Sequence, residues 1–354
     1  VSNLEKDKKQ KTPVSKAFVR SILQGCLRRR RNLSYAMQIH VILVRNGLLF
    51  TDDCISEELI RLFALCENSL DSANRVFSTL PNPPGLYSWN AIISSHVSYG
   101  KEELALRLYD LMSSHYMIQP DKVTYLHVLK ACGNMRNVEA GRLIHRDLLV
   151  RCGSRADDPV IKTSIIDMYG KCGDIDDAEN VFCGLHERDV VSWGSMLSGI
   201  IASGDTFRAI CLFKRMQEEG RKVSENILSS LLTLCGDSRD LRHGRLVHDH
   251  VIINNFYSDD MILGNNLVEL YVKCGSLREA NKVFDSLPFC NSVTWTLIIS
   301  GYVIQGDGVH ALELYAKMMK QGDVKPDKVM FIFVLKACSI VGAILHGMVI
   351  HERT

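Results

Sequence analysis

The sequence predicts an all-α solenoid of stacked helix–turn–helix hairpins, and three observations support this fold class. Tryptophan is spaced by 104 and then 102 residues, at Trp89, Trp193 and Trp295. A set of cysteines recurs every 103 residues, at Cys132, Cys235 and Cys338. Around these positions, apolar residues recur at helical spacing in paired runs that are separated by a glycine. Helical runs that return at a fixed period are typical of a repeat array.

The stretch Val190–Ser224 shows the repeating unit most clearly. It contains the apolar run VVSWGSMLSGII, a turn at SGD and a second helical run, RAICLFKRM. Comparable pairs of runs follow Trp89 and Trp295. A hairpin of this kind cannot bury its apolar face alone, so stacked copies extend one core sideways.

Two other recurring phrases divide the rest of the chain. GKCGDIDDAENVF returns as VKCGSLREANKVF and, weakly, as ALCENSLDSANRVF. VLKACGNMRNVEAGRLIH returns as LLTLCGDSRDLRHGRLVH and as VLKACSIVGAILHGMVIH, and we call the hairpins with this phrase the LKAC-type hairpins. Together the phrases predict nine full hairpins and a truncated tenth, over residues 16–52, 53–85, 86–121, 122–158, 159–189, 190–224, 225–260, 261–291, 292–327 and 328–354.

The two ends of the chain differ from the repeats. Residues 1–15 are polar and basic, which predicts a disordered lead-in. The basic run Arg28–Arg31 is expected in the turn of the first hairpin, as a solvated turn or alternatively as a phosphate contact. The prolines of PNPPG are expected to end the second helix of the second hairpin. The chain stops inside the tenth hairpin without the polar cap of a solenoid end, which suggests a fragment or a degenerate gene product.

Composition argues against several classes of protein. Net charge is +2, from 42 basic and 40 acidic residues, so overall basicity gives no indication of nucleic acid. The apolar runs are far shorter than a membrane-spanning helix requires, and we expect no membrane partner. The twelve cysteines contain no CxxC pair and recur at equivalent positions, such as Cys172 and Cys274. They are therefore expected to be reduced packing residues rather than disulfides or metal ligands.

Motifs of catalysis and cofactor binding are missing from the sequence. There is no P-loop, HExxH or GxSxG motif, and GDGVHA at Gly306–Ala311 joins two predicted helices instead of following a strand. One histidine per hairpin recurs at His40, His145, His248 and His351. Histidines so far apart cannot converge on one metal ion. We therefore expect these side chains to pack between helices or to hydrogen-bond to a carbonyl group. We expect no catalysis, no cofactor, no metal and no small-molecule substrate.

Several phrases resemble a known family. VTYLHVLKACG, SIIDMYGKCGDIDDAENVF, ERDVVSWGSMLSGIIASGD and MMKQGDVKPDKV are similar to plant pentatricopeptide repeat proteins, in the PLS subclass, which alternates three repeat types. The resemblance extends from about Lys16 to the last residue. It implies a right-handed superhelix of hairpins similar to tetratricopeptide repeats, with single-stranded RNA as partner. The HxE…PCxxC signature of the deaminase domain (DYW) that many RNA-editing relatives carry is absent from this sequence.

The resemblance also implies which residues contact RNA. The second and fifth residues of a hairpin lie three apart in its first helix and therefore share one face. In the family, the second residue wedges between bases, and the fifth and last residues together recognise one base per repeat. The candidate wedges are Tyr87, Val160, Val191, Ile262 and Val293. The candidate base-recognising pairs are Asn90 with Asp121, Thr163 with Asp189, Asn265 with Asn291, and Thr296 with Asp327.

In the family, Thr or Ser at the fifth position favours purines, and Asn favours pyrimidines; a final Asp favours G or U, and a final Asn favours A or C. The resemblance then implies U, G, a pyrimidine (C before U) and G for the four pairs, in chain order. Two hairpins depart from the pattern, with Glu57 and Gly85 in one and Gly194 and Ser224 in the other. The LKAC-type hairpins carry Leu126, Ser229 and Ile332 at the fifth position and are treated as spacers. The expected target, from the 53–85 hairpin onward, is n-U-n-G-n-n-Y-G.

Each candidate has an ordinary structural alternative. An Asn or Thr near a helix start is commonly a cap or a solvated residue, and the tryptophans are more typical of the core between helices than of a surface that stacks on bases. The expected function is sequence-specific binding of single-stranded organellar RNA. This would make the chain a specificity module for transcript modification, notably C-to-U editing, with a deaminase or another editing protein acting in trans. The alternatives are an RNA stability or splicing factor, a scaffold that binds proteins, and a remnant without function. From family habit, a mitochondrion is favoured over a chloroplast.

Overall fold

The computed structural model describes residues 33–45, 53–67, 70–80, 84–153, 157–253 and 261–343, together with Leu23 and Gly47. Within these ranges there is no β-strand, and helices follow one another through short turns. The all-α class of fold is confirmed. The chain divides into two compact units, Val1–Arg188 (unit 1) and Asp189–Thr354 (unit 2).

In its described part, unit 1 contains nine helices. They are α1 (Leu33–Arg45), α2 (Asp53–Glu67), α3 (Leu70–Ser78), α4 (Leu86–Ser98), α5 (Glu102–Asp110), α6 (Lys122–Met135), α7 (Val138–Cys152), α8 (Pro159–Cys172) and α9 (Ile175–Cys183). Helix α5 continues into a π-helical turn, Leu111–His115.

Unit 2 also contains nine helices in its described part. They are α10 (Val190–Ser203), α11 (Thr206–Glu218), α12 (Glu225–Asp237), α13 (Leu241–Ile253), α14 (Met261–Lys273), α15 (Leu277–Ser286), α16 (Ser292–Ile304), α17 (Gly308–Gln321) and α18 (Lys328–Val341). In each unit, consecutive antiparallel pairs form hairpins, and the first helix of one hairpin packs on the first helix of the next. Each unit is therefore a solenoid of helix–turn–helix hairpins.

The helix boundaries follow from capping residues in the sequence. From residue 53 onward, the first helix of each predicted hairpin begins at the first residue of the predicted range. The preceding residue is commonly an Asp or Asn that caps the new helix, as in Asp158, whose Oδ1 accepts the Val160 N–H at 2.9 Å. At the hairpin turn, Gly173 and Gly204 have φ of +80° and +81°, the left-handed conformation that ends a helix at low cost for glycine.

The tryptophans lie in the core. Trp89, Trp193 and Trp295 are all nearly fully buried. Trp89 meets Phe77 of the preceding hairpin edge-on, with ring centroids 4.8 Å apart, and Trp295 meets Phe284 in the same way at the same distance. The expectation of core packing rather than base stacking is confirmed, because buried rings cannot stack on a ligand.

The recurrent histidines pack against the first helix of the next hairpin. His145 Nδ1 lies 3.0 Å from the Tyr169 hydroxyl, and His248 Nδ1 lies 2.7 Å from the Tyr271 hydroxyl. The packing interpretation is therefore confirmed for these two, with a tyrosine hydroxyl as partner instead of the expected carbonyl. Burial lowers the pKa of both imidazoles. His40 packs edge-on against Phe63.

A few sequence features lie outside the described residues. They include the lead-in at residues 1–15, the basic run Arg28–Arg31, two of the three prolines that follow α3, and His351. Among the helices that the structure describes, none combines the length and apolarity needed to cross a membrane. The GDGVHA segment joins α16 to α17 and does not follow a strand, as the sequence predicts. Of this segment, only Gly306 and Asp307 lie between the helices; Asp307 caps α17, and Gly308–Ala311 form its first turn.

Candidate functional site

The second residues of the hairpins form a set of exposed apolar side chains. The predicted wedges are between 49% and 64% exposed, at Tyr87, Val160, Val191, Ile262 and Val293. Two LKAC-type hairpins carry an exposed valine at the same position, Val123 and Val329. Exposure of apolar surface to water is unfavourable, so these side chains are suited to contact a flat apolar ligand.

The last residue of each candidate pair caps the next helix. Asp121 Oδ1 accepts the Thr124 N–H at 2.9 Å, and Asp189 Oδ1 accepts the Ser192 N–H at 2.8 Å. This hydrogen bond is the main reason why the pKa of Asp189 is below its ordinary value. Asn291 and Asp327 cap their helices through Oδ1 in the same way. All four last residues are therefore helix caps, as the ordinary structural alternative predicts. The cap occupies only Oδ1, and the second terminal atom of each side chain is not used for it.

The pair Asn90 and Asp121 is connected directly. Asn90 Nδ2 donates to Asp121 Oδ1 at 3.0 Å, and Thr124 Oγ1 donates to Asn90 Oδ1 at 2.6 Å. Asn90 is only 2% exposed. The contacts that Asp121 makes through its carboxylate all go to Oδ1, so Oδ2 is the atom through which this pair can meet a ligand.

The pair Asn265 and Asn291 is connected through a threonine. Thr294 Oγ1 donates to Asn265 Oδ1 at 2.7 Å and accepts the Asn291 N–H at 3.2 Å. Asn291 Oδ1 accepts the Thr294 N–H at 3.0 Å. Asn265 is half-buried, so its Nδ2 group is more accessible than that of Asn90.

The remaining two pairs are less connected. Thr296 Oγ1 is buried and has no hydrogen-bond partner among the residues that the structure describes. Asp327 Oδ2 accepts from Ser292 Oγ at 3.1 Å, and the residue is exposed. Thr163 and Asp189 belong to different units; Thr163 is half-buried and Asp189 is exposed.

In the hairpin that ends in Gly85, a carboxylate caps the next helix from a position that the sequence does not indicate. Asp53, the first residue of the same hairpin, accepts the Tyr87 N–H at 2.7 Å and the Ser88 N–H at 3.2 Å, so it caps α4 in place of Gly85. Glu57, the fifth residue, pairs with Arg61 at 2.8 Å. Because this cap comes from 34 residues earlier in the chain, no local sequence signal could identify it.

The LKAC-type hairpins present mixed side chains at the fifth position. Ser229 Oγ accepts a hydrogen bond from Asn266 Nδ2, and Ile332 is 53% exposed. Gly194 offers no side chain, although a Cβ there would make only an ordinary contact with Ile227 Cδ1 at 3.5 Å. Among the described residues, no cluster of His, Cys, Asp and Glu has the arrangement of a metal site.

A comparison with protein families identifies a repeat in five segments of the chain. The model of the PPR repeat matches residues 87–116, 160–190, 191–221, 265–291 and 293–323. These segments contain the first and second helices of five hairpins, including all four candidate fifth residues.

Curated relatives come from Arabidopsis thaliana. Pentatricopeptide repeat-containing protein At5g27110 is 34% identical over 316 residues, which cover 88% of this chain and 44% of the relative. Pentatricopeptide repeat-containing protein At4g25270, chloroplastic, is 33% identical over 332 residues, which cover 92% of this chain and 60% of the relative. The chain thus spans about half the length of the curated relatives it matches.

A solved structure has the same fold. The crystal structure of the pentatricopeptide repeat protein PPR10 in complex with an 18-nt psaJ RNA element aligns with a TM-score of 0.70 at 16% identity. The alignment covers 98% of this chain and 53% of that one. At this identity the match shows a shared solenoid fold.

Proposed function

We propose that this chain is a pentatricopeptide repeat protein similar to those of plants, and that it binds single-stranded RNA sequence-specifically in an organelle. The observation that carries the proposal is an exposed apolar residue three positions before a polar fifth residue in four of the five matched hairpins. Bases can insert against such side chains, while the last residue and, where its side chain is accessible, the fifth residue meet their edges. The RNA that accompanies PPR10 in its crystal structure supports this type of ligand.

The four pairs give the proposed specificity. A carboxylate only accepts hydrogen bonds, so Asp121, Asp189 and Asp327 suit bases with a ring N–H, namely uracil and guanine. Asn291 offers an amide N–H beside Asn265, which suits the ring nitrogen and carbonyl of cytosine. The proposed target is n-U-n-G-n-n-Y-G. At roughly 1–3 kcal/mol for each good contact, four contacts provide moderate specificity.

The proposed biological role is that of a specificity module for C-to-U editing, in which a deaminase acts in trans and this chain performs no chemistry. The alternation of three hairpin lengths supports placement in the PLS subclass. For the compartment we propose a mitochondrion, with a chloroplast as the alternative, since one relative is named chloroplastic. Immunoblots of purified mitochondria and plastids would decide between the two organelles.

A gel-shift titration at one stated salt concentration tests RNA binding. The probe is n-U-n-G-n-n-Y-G RNA with A at each n and C at Y, and the control is the scrambled sequence. The matched RNA should bind at least tenfold more tightly, which is about 1.4 kcal/mol. Thr296→Asn should shift the preference at its single base from G toward U, because Asp327 still requires a ring N–H.

A pair of matched variants tests the wedges. Val191 and Leu143 have nearly equal exposure, 64% and 62%, but Leu143 lies on a second helix. Val191→Ala should weaken binding of every RNA several-fold, whereas Leu143→Ala should leave it unchanged. Equal, weak binding of matched and scrambled RNA would contradict the proposal and favour a scaffold that binds proteins.

A further inference from the structure

The third residue of a hairpin contacts the fifth residue of the hairpin before it. In unit 1, Thr124 Oγ1 lies 2.6 Å from Asn90 Oδ1, and in unit 2, Thr294 Oγ1 lies 2.7 Å from Asn265 Oδ1. Both threonines are 0% exposed, so water cannot take over their role. The same contact thus occurs at both hairpins whose fifth residue is asparagine.

In unit 1 this network fixes which end of the Asn90 amide faces which neighbour. Asp121 can only accept, so the group facing it at 3.0 Å must be the Nδ2 amide. The Oδ1 end then faces Thr124, whose hydroxyl donates. Turning the amide over would place two oxygens against each other at Asp121, which costs a buried hydrogen bond.

In unit 2 the threonine has the larger role, because Asn265 has no carboxylate beside it. Thr294 Oγ1 accepts the Asn291 N–H at 3.2 Å and lies 2.7 Å from Asn265 Oδ1 and 3.0 Å from Asn291 Oδ1. Its single proton is assigned to Asn265 Oδ1, because this acceptor is nearer and Asn291 Oδ1 already accepts the Thr294 N–H. Since Oδ1 is occupied, the atom left to a ligand is Nδ2. Asn291 Oδ1 is likewise occupied by the Thr294 N–H, which leaves its Nδ2 as well.

A third hairpin shows the effect of a different residue. The residue equivalent to Thr124 and Thr294 in the 328–354 hairpin is Met330, which has no hydroxyl. The preceding fifth residue, Thr296, has a buried Oγ1 to which no group in the described part of the chain hydrogen-bonds. At this junction the third-position hydroxyl is missing and the preceding threonine has no partner for its own hydroxyl among the described residues.

We propose that the third-position threonine is a positioning residue that sets base specificity in the preceding hairpin. This inference rests on the proposed RNA binding. By holding Asn265 Oδ1, Thr294 makes the Asn265 and Asn291 pair present two donors. Cytosine has two adjacent acceptors, N3 and O2, whereas uracil has a donor at N3. Thr294 therefore selects C over U at the Y position, although it does not itself touch the base.

Thr294→Val tests this directly, because valine keeps the shape and the backbone N–H that Asn291 caps. The probes are n-U-n-G-n-n-C-G and n-U-n-G-n-n-U-G RNA with A at each n. The wild-type chain should prefer C by about tenfold, the effect of one good hydrogen-bond difference. In Thr294→Val the Asn265 amide is free to turn, so this ratio should fall to about one. Thr294→Ser should restore it.

Two further measurements separate positioning from a structural effect. Thermal unfolding should show Thr294→Val still folded, and the side-chain amide NMR signals of Asn265 in the free chain should move toward those of a solvated amide. In the opposite direction, Met330→Thr should give Thr296 a partner and increase the preference for G at its base.

The outcomes distinguish the inference from the function on which it rests. A wild-type chain that prefers C, together with a Thr294→Val variant that keeps the same preference, would overturn the positioning role alone. A wild-type chain that binds matched and scrambled RNA equally would overturn RNA recognition, and the positioning role with it. A restored ratio in Thr294→Ser is the result that supports the hydroxyl.

Discussion

The carboxylate of Asp53 lies where a side chain at Gly85 would begin, since a Cβ built on this glycine would meet Asp53 Cγ at 2.3 Å. Gly85 has φ −73° and ψ 165°, an extended conformation that any residue adopts. Asp121, which ends the next hairpin, has a similar conformation and caps from its own position. The carboxylate that caps α4 thus comes from Asp53, but it lies where the side chain of the residue before the helix, here Gly85, would lie.

Exchanging these two residues tests whether the cap is equivalent. Asp53→Ala should lower the free energy of unfolding by about 1 kcal/mol, the usual cost of a lost N-cap. Gly85→Asp alone should also destabilise, because it places two carboxylates in one space. The double variant Asp53→Ala with Gly85→Asp should recover most of the loss, since the new aspartate caps α4 from the ordinary position. Urea unfolding of the four proteins measures the coupling.

A double variant that loses the sum of the two single effects would show that Asp53 does more than cap α4. Asp53 and Gly85 can both be read from the sequence, but their proximity depends on how α2 packs against the start of α4. Local pattern rules reach only a few residues along the chain, so a cap from 34 residues away is decided by tertiary packing.

At the scale of elements, glycines allow helices of neighbouring hairpins to approach closely. A Cβ at Gly141 would lie 2.3 Å from Met168 Sδ, and one at the equivalent Gly244 would lie 2.7 Å from Leu270 Cδ1. At Gly308, on α17, a Cβ would lie 2.7 Å from the backbone oxygen of Ala337 on α18. A backbone oxygen cannot move aside as the end of a side chain can, so Gly308 is the most constrained of these three.

Two alanine substitutions should therefore have opposite signs. Gly308→Ala should lower the free energy of unfolding by about 1–3 kcal/mol, because it overpacks the contact with α18. Gly194→Ala lies within a helix and meets only Ile227 Cδ1 at 3.5 Å, so it should stabilise by about 0.5–1 kcal/mol through helix propensity.

The two variants lie in the same unit and can be compared in the same urea titration. A neutral Gly308→Ala would mean that α17 and α18 separate at no cost and that the close approach is not required. A destabilising Gly194→Ala would mean that the fifth position of this hairpin tolerates no side chain. That second result would also argue against restoring base recognition there by substitution.

The whole molecule should lose stability as pH falls below neutral. Burial lowers the pKa of His40, His127, His145, His248 and His250, while His310, beside Asp307, has a raised pKa. A histidine with a lowered pKa binds fewer protons in the folded state than in the unfolded state. Its contribution is complete well above pH 6.5, the ordinary value, and is lost as pH falls through that value.

The free energy of unfolding should therefore decrease between pH 7.5 and pH 5.5. His310 has the opposite effect, but it is one histidine against the five whose pKa is lowered. Carboxylates with a lowered pKa, such as Asp158 and Asp189, reduce the free energy of unfolding further at lower pH. Urea midpoints at pH 7.5, 6.5 and 5.5 measure the slope. A chain with His145→Gln and His248→Gln should show a smaller slope, although its stability at pH 7.5 is lower. A midpoint that rises on acidification would contradict this account.

The sequence alone determined the architecture of this protein. Repeating apolar runs predicted hairpins, and the first residue of each predicted hairpin from residue 53 onward coincides with the start of a helix, because Asp, Asn and Gly act locally at helix ends. The same period placed the wedges and the fifth residues on the first helices and the last residues immediately before the next helix, and the structure exposes the wedges. Whether the pairs recognise bases remains a prediction, since it depends on a ligand.

Tertiary structure decided which atoms of those pairs are available. Asn90 is enclosed by Asp121 and Thr124, Asn265 is held by Thr294, and Thr296 has no partner, although all three occupy the same position in the repeat. Asn90 and Asn265 differ because the last residue of the hairpin is Asp121 in one case and Asn291 in the other, whereas Thr296 differs from both because the third residue of the next hairpin is Met330. These residues lie some thirty positions later in the chain. Hydrogen bonds between stacked hairpins depend on distances of a few tenths of an ångström, and a one-dimensional period carries no information on that scale.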